Sequence, residues 1–216
     1  MTLDRFARIR VINLAERRDR RREMERELAA IGLATDTRVE FFPAMRPDDR
    51  GDFTSVGARG VYQGQFAILR EAASANEAVL ILEDDCAFDP VARDFPTDGP
   101  WDIFYGGYEA ATPDNLINSD IIGAHMMGFT ADGAKAVVQY LDGLNYEGIH
   151  PPIDAAYIWF RRAHPEVVTH FATPPLAHQR SSRSDIAPRF FDRLPMVREA
   201  AQLARRIKRV RLKGRT

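Results

Sequence analysis

A single cysteine, Cys86, stands among the 216 residues, so the fold has no internal disulfide and does not depend on an oxidising compartment. Long apolar runs are missing too: nothing approaches the roughly 18 residues that a membrane helix requires. The opening MTLDRFARIRVINL contains no apolar stretch of signal-peptide length. The expectation is a soluble protein on the cytoplasmic side. Net charge is nearly absent as well, with 30 Lys and Arg against 31 Asp and Glu for a formal −1, which removes any global case for a nucleic-acid binder. No glycine-rich phosphate loop follows the first apolar run, and that argues against a sugar nucleotidyltransferase.

What is present has globular composition, 45% apolar, 28% charged and 10% aromatic. The length suits one generous domain, or one with an appendage, and is enough to bury a core. The balanced charge hides an asymmetry. Eight basic residues and one acid, Glu199, fall between Met196 and Thr216, so residues 1–195 are net acidic. Val197, Ala200, Leu203 or Ala204, Ile207 and Val210 recur among those bases at helical spacing. The pattern predicts a basic amphipathic helix suited to an anionic membrane surface, without the aromatics that stack on nucleic-acid bases. The expected division is a domain over 1–195 and a tail over 196–216.

Periodicity predicts a buried strand over Ala7–Leu14, then a helix over Glu16–Ile31 with Met24, Leu28 and Ile31 inward and Gly32 as its cap. A short strand follows over Val39–Phe42. Pro43–Gly60 has loop chemistry, and a long loop in a compact domain is often functional. Tyr62, Phe66, Leu69 and Ala73 predict a helix over Val61–Ala75, and Ala78–Leu82 a strand that runs into three carboxylates. Further strands are expected over Trp101–Gly107, Ile121–Phe129 and Glu166–Phe171. Helices are expected after a Thr130 cap and over Ile153–Arg162, while Thr173–Ile186 reads as irregular. The alternation predicts an α/β fold with a largely parallel sheet flanked by helices. Ligands of such sheets sit beyond the carboxyl ends of strands, where Glu83-Asp84-Asp85 and Gly106-Gly107 fall.

Glu83, Asp84 and Asp85 are the strongest chemical signal, because three adjacent carboxylates repel one another unless a cation compensates them. Mg²⁺ or Mn²⁺, which take one or two carboxylates together with substrate phosphate oxygens, are natural candidates. A solvated acidic loop is the plain alternative. A haloacid-dehalogenase-type phosphatase would need Asp-x-Asp followed by Thr or Val, which Cys86-Ala87-Phe88 does not supply. A phospho-receiver domain would need an Asp ending the next strand, and here that strand ends in Phe104-Tyr105-Gly106-Gly107.

Four blocks in order, Val11–Gly32 (VINLAERRDRRREMERELAAIG), Gly57–Ala72 (GARGVYQGQFAILREA), Val79–Cys86 (VLILEDDC) and Pro174–Ile186 (PPLAHQRSSRSDI), resemble the family 25 glycosyltransferases. Those enzymes include bacterial lipopolysaccharide and lipooligosaccharide galactosyltransferases and collagen galactosyltransferases. The resemblance implies a GT-A-like fold, a nucleotide-sugar donor, usually UDP-galactose, and inversion at the anomeric carbon. It also implies that the acidic cluster is the divalent-metal motif, without distinguishing which two of Glu83, Asp84 and Asp85 bind. Asn13, Arg17 and Arg20 match the family's first strand and helix, where the donor base or phosphates would lie. Where the family carries a Ser-His pair after the glycine loop, this chain has Gln63-Gly64-Gln65, which makes Gln65 a donor-site candidate.

In Ala177-His178-Gln179-Arg180, His178 is the candidate that completes a metal shell with Glu83 and Asp85, and Gln179 is a further donor-site candidate. Ser184-Asp185 enters through the resemblance alone. Inverting transfer also needs a general base for the acceptor hydroxyl. Asp154, at the start of the helix after Pro151-Pro152 and a candidate cap for it, is the expected base, with Glu109 and Asp102 as alternatives. The expected activity is metal-dependent, inverting transfer of a hexose, galactose by resemblance, from a UDP-sugar to a surface-glycan or lipid-linked acceptor. The alternative is a catalytically silent protein that keeps the sugar-nucleotide fold and only binds.

Overall fold

A computed structural model describes residues 2–96 and 99–180. The tail expected over 196–216, Ser184-Asp185 and the last part of Thr173–Ile186 lie outside the described residues. Among the described residues no helix is long and apolar enough to cross a membrane.

Three parallel strands carry the site. β1 (Arg8–Asn13) is buried along nearly all of its length and lies between β2 (Val39–Pro43) and β3 (Val79–Glu83). The register sets Asn13 opposite Pro43 and Ile12 opposite Glu83, so the carboxyl ends of all three strands finish together. The helix between β1 and β2 is α1 (Arg18–Ala30), anchored by Met24 and Leu28, and Gly32 follows it at φ +82° in the capping role expected of it.

α2 (Val56–Ala75) begins five residues earlier than its apolar period indicates. Ser55 supplies the missing start signal, its hydroxyl accepting the N–H of Ala58 at 3.0 Å. Gly57 and Gly60, expected in a loop, therefore lie in its first turns. Gly60 is needed there because any methyl group would collide with the carbonyl oxygen of Met45, on which the helix rests. The loop between β2 and α2 is thereby pressed against the helix.

The rest of the chain completes an eight-stranded sheet in the order β2-β1-β3-β6-β5-β8-β4, with β7 paired to β5. These strands are β4 (Cys86–Phe88), β5 (Ile103–Ala110), β6 (Ile121–Phe129), β7 (Thr169–Phe171) and β8 (Ala177–Gln179). Pairings within β2-β1-β3 and of β5 with β7 and β8 are parallel; β6 runs against both β3 and β5, and β4 against β8. β8 falls where the sequence reads as irregular, and β4 where no strand is expected, since three residues are too few to show a period of two. α3 (Ala131–Asp142) starts at the expected Thr130 cap, whose hydroxyl accepts the Gly133 N–H at 3.0 Å. α4 (Ile153–Ala163) starts after Pro152 with no side-chain cap.

Alternation along β3 sorts the core into two layers. Val79 and Ile81 pack with residues of α2, α3 and α4, while Leu80 and Leu82 pack with Met24 and Leu28 of α1. Helices thus cover both faces, as an α/β fold requires.

His125 of β6 is buried and crosses β5 to donate from Nε2 to the carbonyl of Ala177 on β8 at 3.1 Å. It passes over Gly107, where a Cβ would lie 2.5 Å from the imidazole Cδ2. The tie holds β8 against β5. Gly107→Ala should therefore cost about 1–3 kcal/mol, as overpacking does, and urea denaturation should show a lower midpoint at unchanged slope.

Candidate active site

The acidic triplet closes β3 and turns into β4. Glu83 is the last residue of β3, and Asp84 and Asp85 form the turn, both 6% exposed. Burying two carboxylates requires partners, and β1, α1, β8 and the residue after β8 supply them. From the end of β1, Asn13 donates Nδ2 to Asp84 Oδ2 at 2.7 Å. From the first turn of α1, the buried guanidinium of Arg20 reaches Asp84 Oδ1 at 2.9 Å and Asp85 Oδ2 at 3.4 Å. From β8, Gln179 donates Nε2 to Asp85 Oδ2 at 3.2 Å. Arg180 follows, its backbone N–H on the Asp85 carbonyl at 2.8 Å and its guanidinium on the Asp84 carbonyl at 2.7 Å. Arg180 also pairs with Glu23 and Glu27 of α1 at 3.4 and 3.6 Å.

One acceptor is left over. Asp85 Oδ1 is buried and has no hydrogen-bond partner among the described residues. Charge compensation is also incomplete around Glu83, whose carboxyl is pushed up to about 8, first by burial and then by the charges of Asp85, Asp154 and Asp84. Burial raises Asp84 as well, against the opposing pull of Asn13 and Arg20. The triplet and Arg20 form one end of a cavity of about 260 Å³ beyond the carboxyl ends of β1, β2 and β3. Ile12, Leu14, Ala44 and Met45 give the cavity an apolar wall, and Val56 and Gly57 of α2 complete it.

Asp154 is placed differently from its expected capping role. It is the second residue of α4, and its two oxygens accept the N–H of Gly123 at 3.2 Å and of Ala155 at 2.9 Å. Burial raises its carboxyl, and those N–H groups act the other way. It does not line the cavity, yet it is near enough to Glu83 to raise that carboxyl. Of the alternatives, Glu109 is exposed near the end of β5, and Asp102 accepts the backbone N–H of Val168 at 2.9 Å.

Three other candidates are not brought into the cluster. Gln65 is fully buried between α2 and α4, where its Oε1 accepts the Tyr157 hydroxyl at 2.9 Å, because it lies on the core-facing side of α2. Arg17 forms an ion pair with Asp19 at 2.8 Å. His178 is exposed: its neighbour Gln179 turns toward Asp85, so strand alternation sends His178 to the opposite face. Among the described residues no three His, Cys, Asp or Glu side chains are grouped to hold a metal ion. Sequence reasoning missed Arg180 as an organising residue, although it stands within the Pro174–Ile186 block.

The sequence matches no protein-family model and no curated protein sequence. Solved structures do resemble the fold. A glycosyltransferase involved in the glycosylation of the major capsid of PBCV-1 superposes with a TM-score of 0.50 at 12% identity, over 81% of this chain and 93% of that one. The apo-form glycosyltransferase GlyE of Streptococcus pneumoniae superposes at 0.44 and 12%, over 82% of this chain and 55% of its own. With the mixed, mostly parallel sheet flanked by helices, the first likeness defines a GT-A-like glycosyltransferase fold.

The elevated carboxyl of Glu83 has a thermodynamic signature. The folded state holds a proton that the unfolded chain releases near pH 4.5, so this contribution is complete below that pH and is lost as pH rises through about 8. Glu83→Gln should flatten much of that decline. Urea denaturation of the metal-free protein at several pH values between 5 and 8 measures it; an unchanged slope in the variant would show that Glu83 is not the responsible group.

Proposed function

We propose that the protein is a metal-dependent, inverting glycosyltransferase of the family 25 kind, moving a hexose, galactose by resemblance, from a UDP-sugar to a glycan or lipid-linked acceptor. The observation that carries this reading is the cavity at the carboxyl ends of β1–β3, whose acidic end keeps one buried carboxylate oxygen, Asp85 Oδ1, without a partner among the described residues. The GT-A-like fold supports it independently. The basic tail over 196–216 is assigned to peripheral attachment at the cytoplasmic face of an anionic membrane, which suits a lipid-linked acceptor.

The residues fit a hard divalent cation such as Mn²⁺ or Mg²⁺. All the available donors are oxygens, one is buried and unpartnered, and the negative charge around Glu83 exceeds what Arg20 offsets. Asp85 with Glu83 would hold the ion, and His178, on the other face of β8, takes no part. The bound ion would supply neutralisation of the diphosphate leaving group. Asn13, Arg20 and Gln179 keep the Asp84 and Asp85 carboxylates in fixed orientations. The apolar wall receives the nucleoside.

Asp154 takes the proton from the acceptor hydroxyl. The hydroxyl oxygen then bonds to the anomeric carbon from the side opposite the UDP oxygen, whose bond to that carbon breaks, leaving UDP and an inverted linkage. The N–H groups of Gly123 and Ala155 hold the Asp154 oxygens in place. Its raised carboxyl brings the base closer to working pH.

Calorimetric titration with UDP, with and without Mn²⁺, tests the metal assignment. Mn²⁺ should tighten UDP binding to the unchanged protein, and Asp85→Asn should remove that gain; equal metal dependence in both proteins would sink it. Asp154→Asn should lower the initial rate of sugar transfer by about 10²- to 10⁴-fold with little change in UDP affinity. An unchanged rate would move the role to Glu109 or Asp102. Absence of metal-dependent UDP-sugar hydrolysis or transfer, with UDP binding retained, would favour the catalytically silent protein.

A further inference from the structure

Among the described residues two arginines line the cavity, Arg20 and Arg46. The guanidinium of Arg20 is buried and committed to Asp84 and Asp85, where its replacement by a ligand would expose two buried charges. Arg46 is in the opposite condition. Its side chain is 71% exposed, and its carboxylate partner, Glu16 in the β1–α1 loop, is itself 49% exposed. An ion pair so open to water is worth about 0–1 kcal/mol, so exchanging Glu16 for a stronger anion costs little.

The main chain around Arg46 is held firmly. The N–H of Ala44 bonds to the Asn13 carbonyl at 2.9 Å, which ties this loop to the end of β1. The Met45 carbonyl lies where only a glycine at position 60 permits, which ties the same loop to α2. An exposed charged head on a fixed backbone thus stands at the cavity whose acidic end carries Asp85 Oδ1, unpartnered among the described residues.

The geometry points to Arg46 as the side chain that binds the donor's diphosphate, leaving Glu16 for the phosphate oxygens when the nucleotide enters. This inference rests on the nucleotide-sugar reading above. It moves the phosphate-binding role from Arg17 and Arg20 to a residue the sequence did not single out. Arg46 is a binding residue here, and Glu16 competes with the ligand for it.

UDP and uridine, titrated into the full chain with Mn²⁺ present, distinguish the possibilities. Arg46→Gln should weaken UDP by about tenfold or more, the loss expected for one charge-assisted contact, with uridine affinity and the ligand-free melting midpoint unchanged. Glu16→Gln should tighten UDP. An Arg46→Gln protein that binds UDP as the unchanged protein does, or that loses UDP and uridine equally, overturns the assignment. A Glu16→Gln protein with unaltered UDP affinity overturns the exchange. If the unchanged protein binds no UDP at all, the nucleotide-sugar reading fails and this inference with it.

Discussion

Two buried carboxylates side by side, Asp84 and Asp85, impose the constraint on which the rest of the structure depends. Each must be paired where it is enclosed, or the charge would be expelled or neutralised. Asn13, Arg20, Gln179 and Arg180 come from β1, α1, the last position of β8 and the residue after it, and all converge on this one turn. The fold around the site is therefore specified by polar contacts as much as by apolar packing. One guanidinium serves two carboxylates, and Glu83 beside them is left with its carboxyl raised to about 8.

The short strands β4 and β8 follow from the same constraint. β8 places Gln179 on Asp85, while the Sγ of Cys86, the first residue of β4, lies 3.0 Å from the His125 carbonyl. His125 in turn holds Ala177 across Gly107. A strand of three residues contributes little packing of its own. It persists because the sheet, the acidic turn and a buried imidazole all hold it.

A second anchor supports the cavity from the other side. His150 stacks on Phe53 at 4.0 Å between ring centres and meets Tyr62 and Tyr146 at 4.5 and 4.4 Å. This cluster joins the β2–α2 loop, which supplies Ala44 and Met45 to the apolar wall, to the segment that leads into α4 and Asp154. Displacement of one would be felt by the other, so the cavity wall and the proposed base share a support built from aromatic packing.

Local patterns in the sequence determined much of the fold. The apolar runs of β1, β3 and β6, the 3.6-residue spacing of α1 and α2, the Thr130 cap and the Gly32 stop are all short-range signals, and the acidic triplet marked where buried charge would gather at the cavity. Tertiary structure alone decided which residues share the site. Gln65 and Tyr62 lie on one helix, yet nothing in its spacing distinguishes a buried amide bonded to Tyr157 from one facing a ligand. His178 and Gln179 are neighbours in sequence, and only the pairing of β8 with β4 and β5 settles that Gln179 meets Asp85 while His178 does not. Arg20 and Arg46 each stand among other charges in the sequence. One is buried against carboxylates because α1 packs over the end of β3, and the other is left at the cavity because its loop rests on Gly60. Those distinctions arise from contacts between residues tens of positions apart, which no local period encodes.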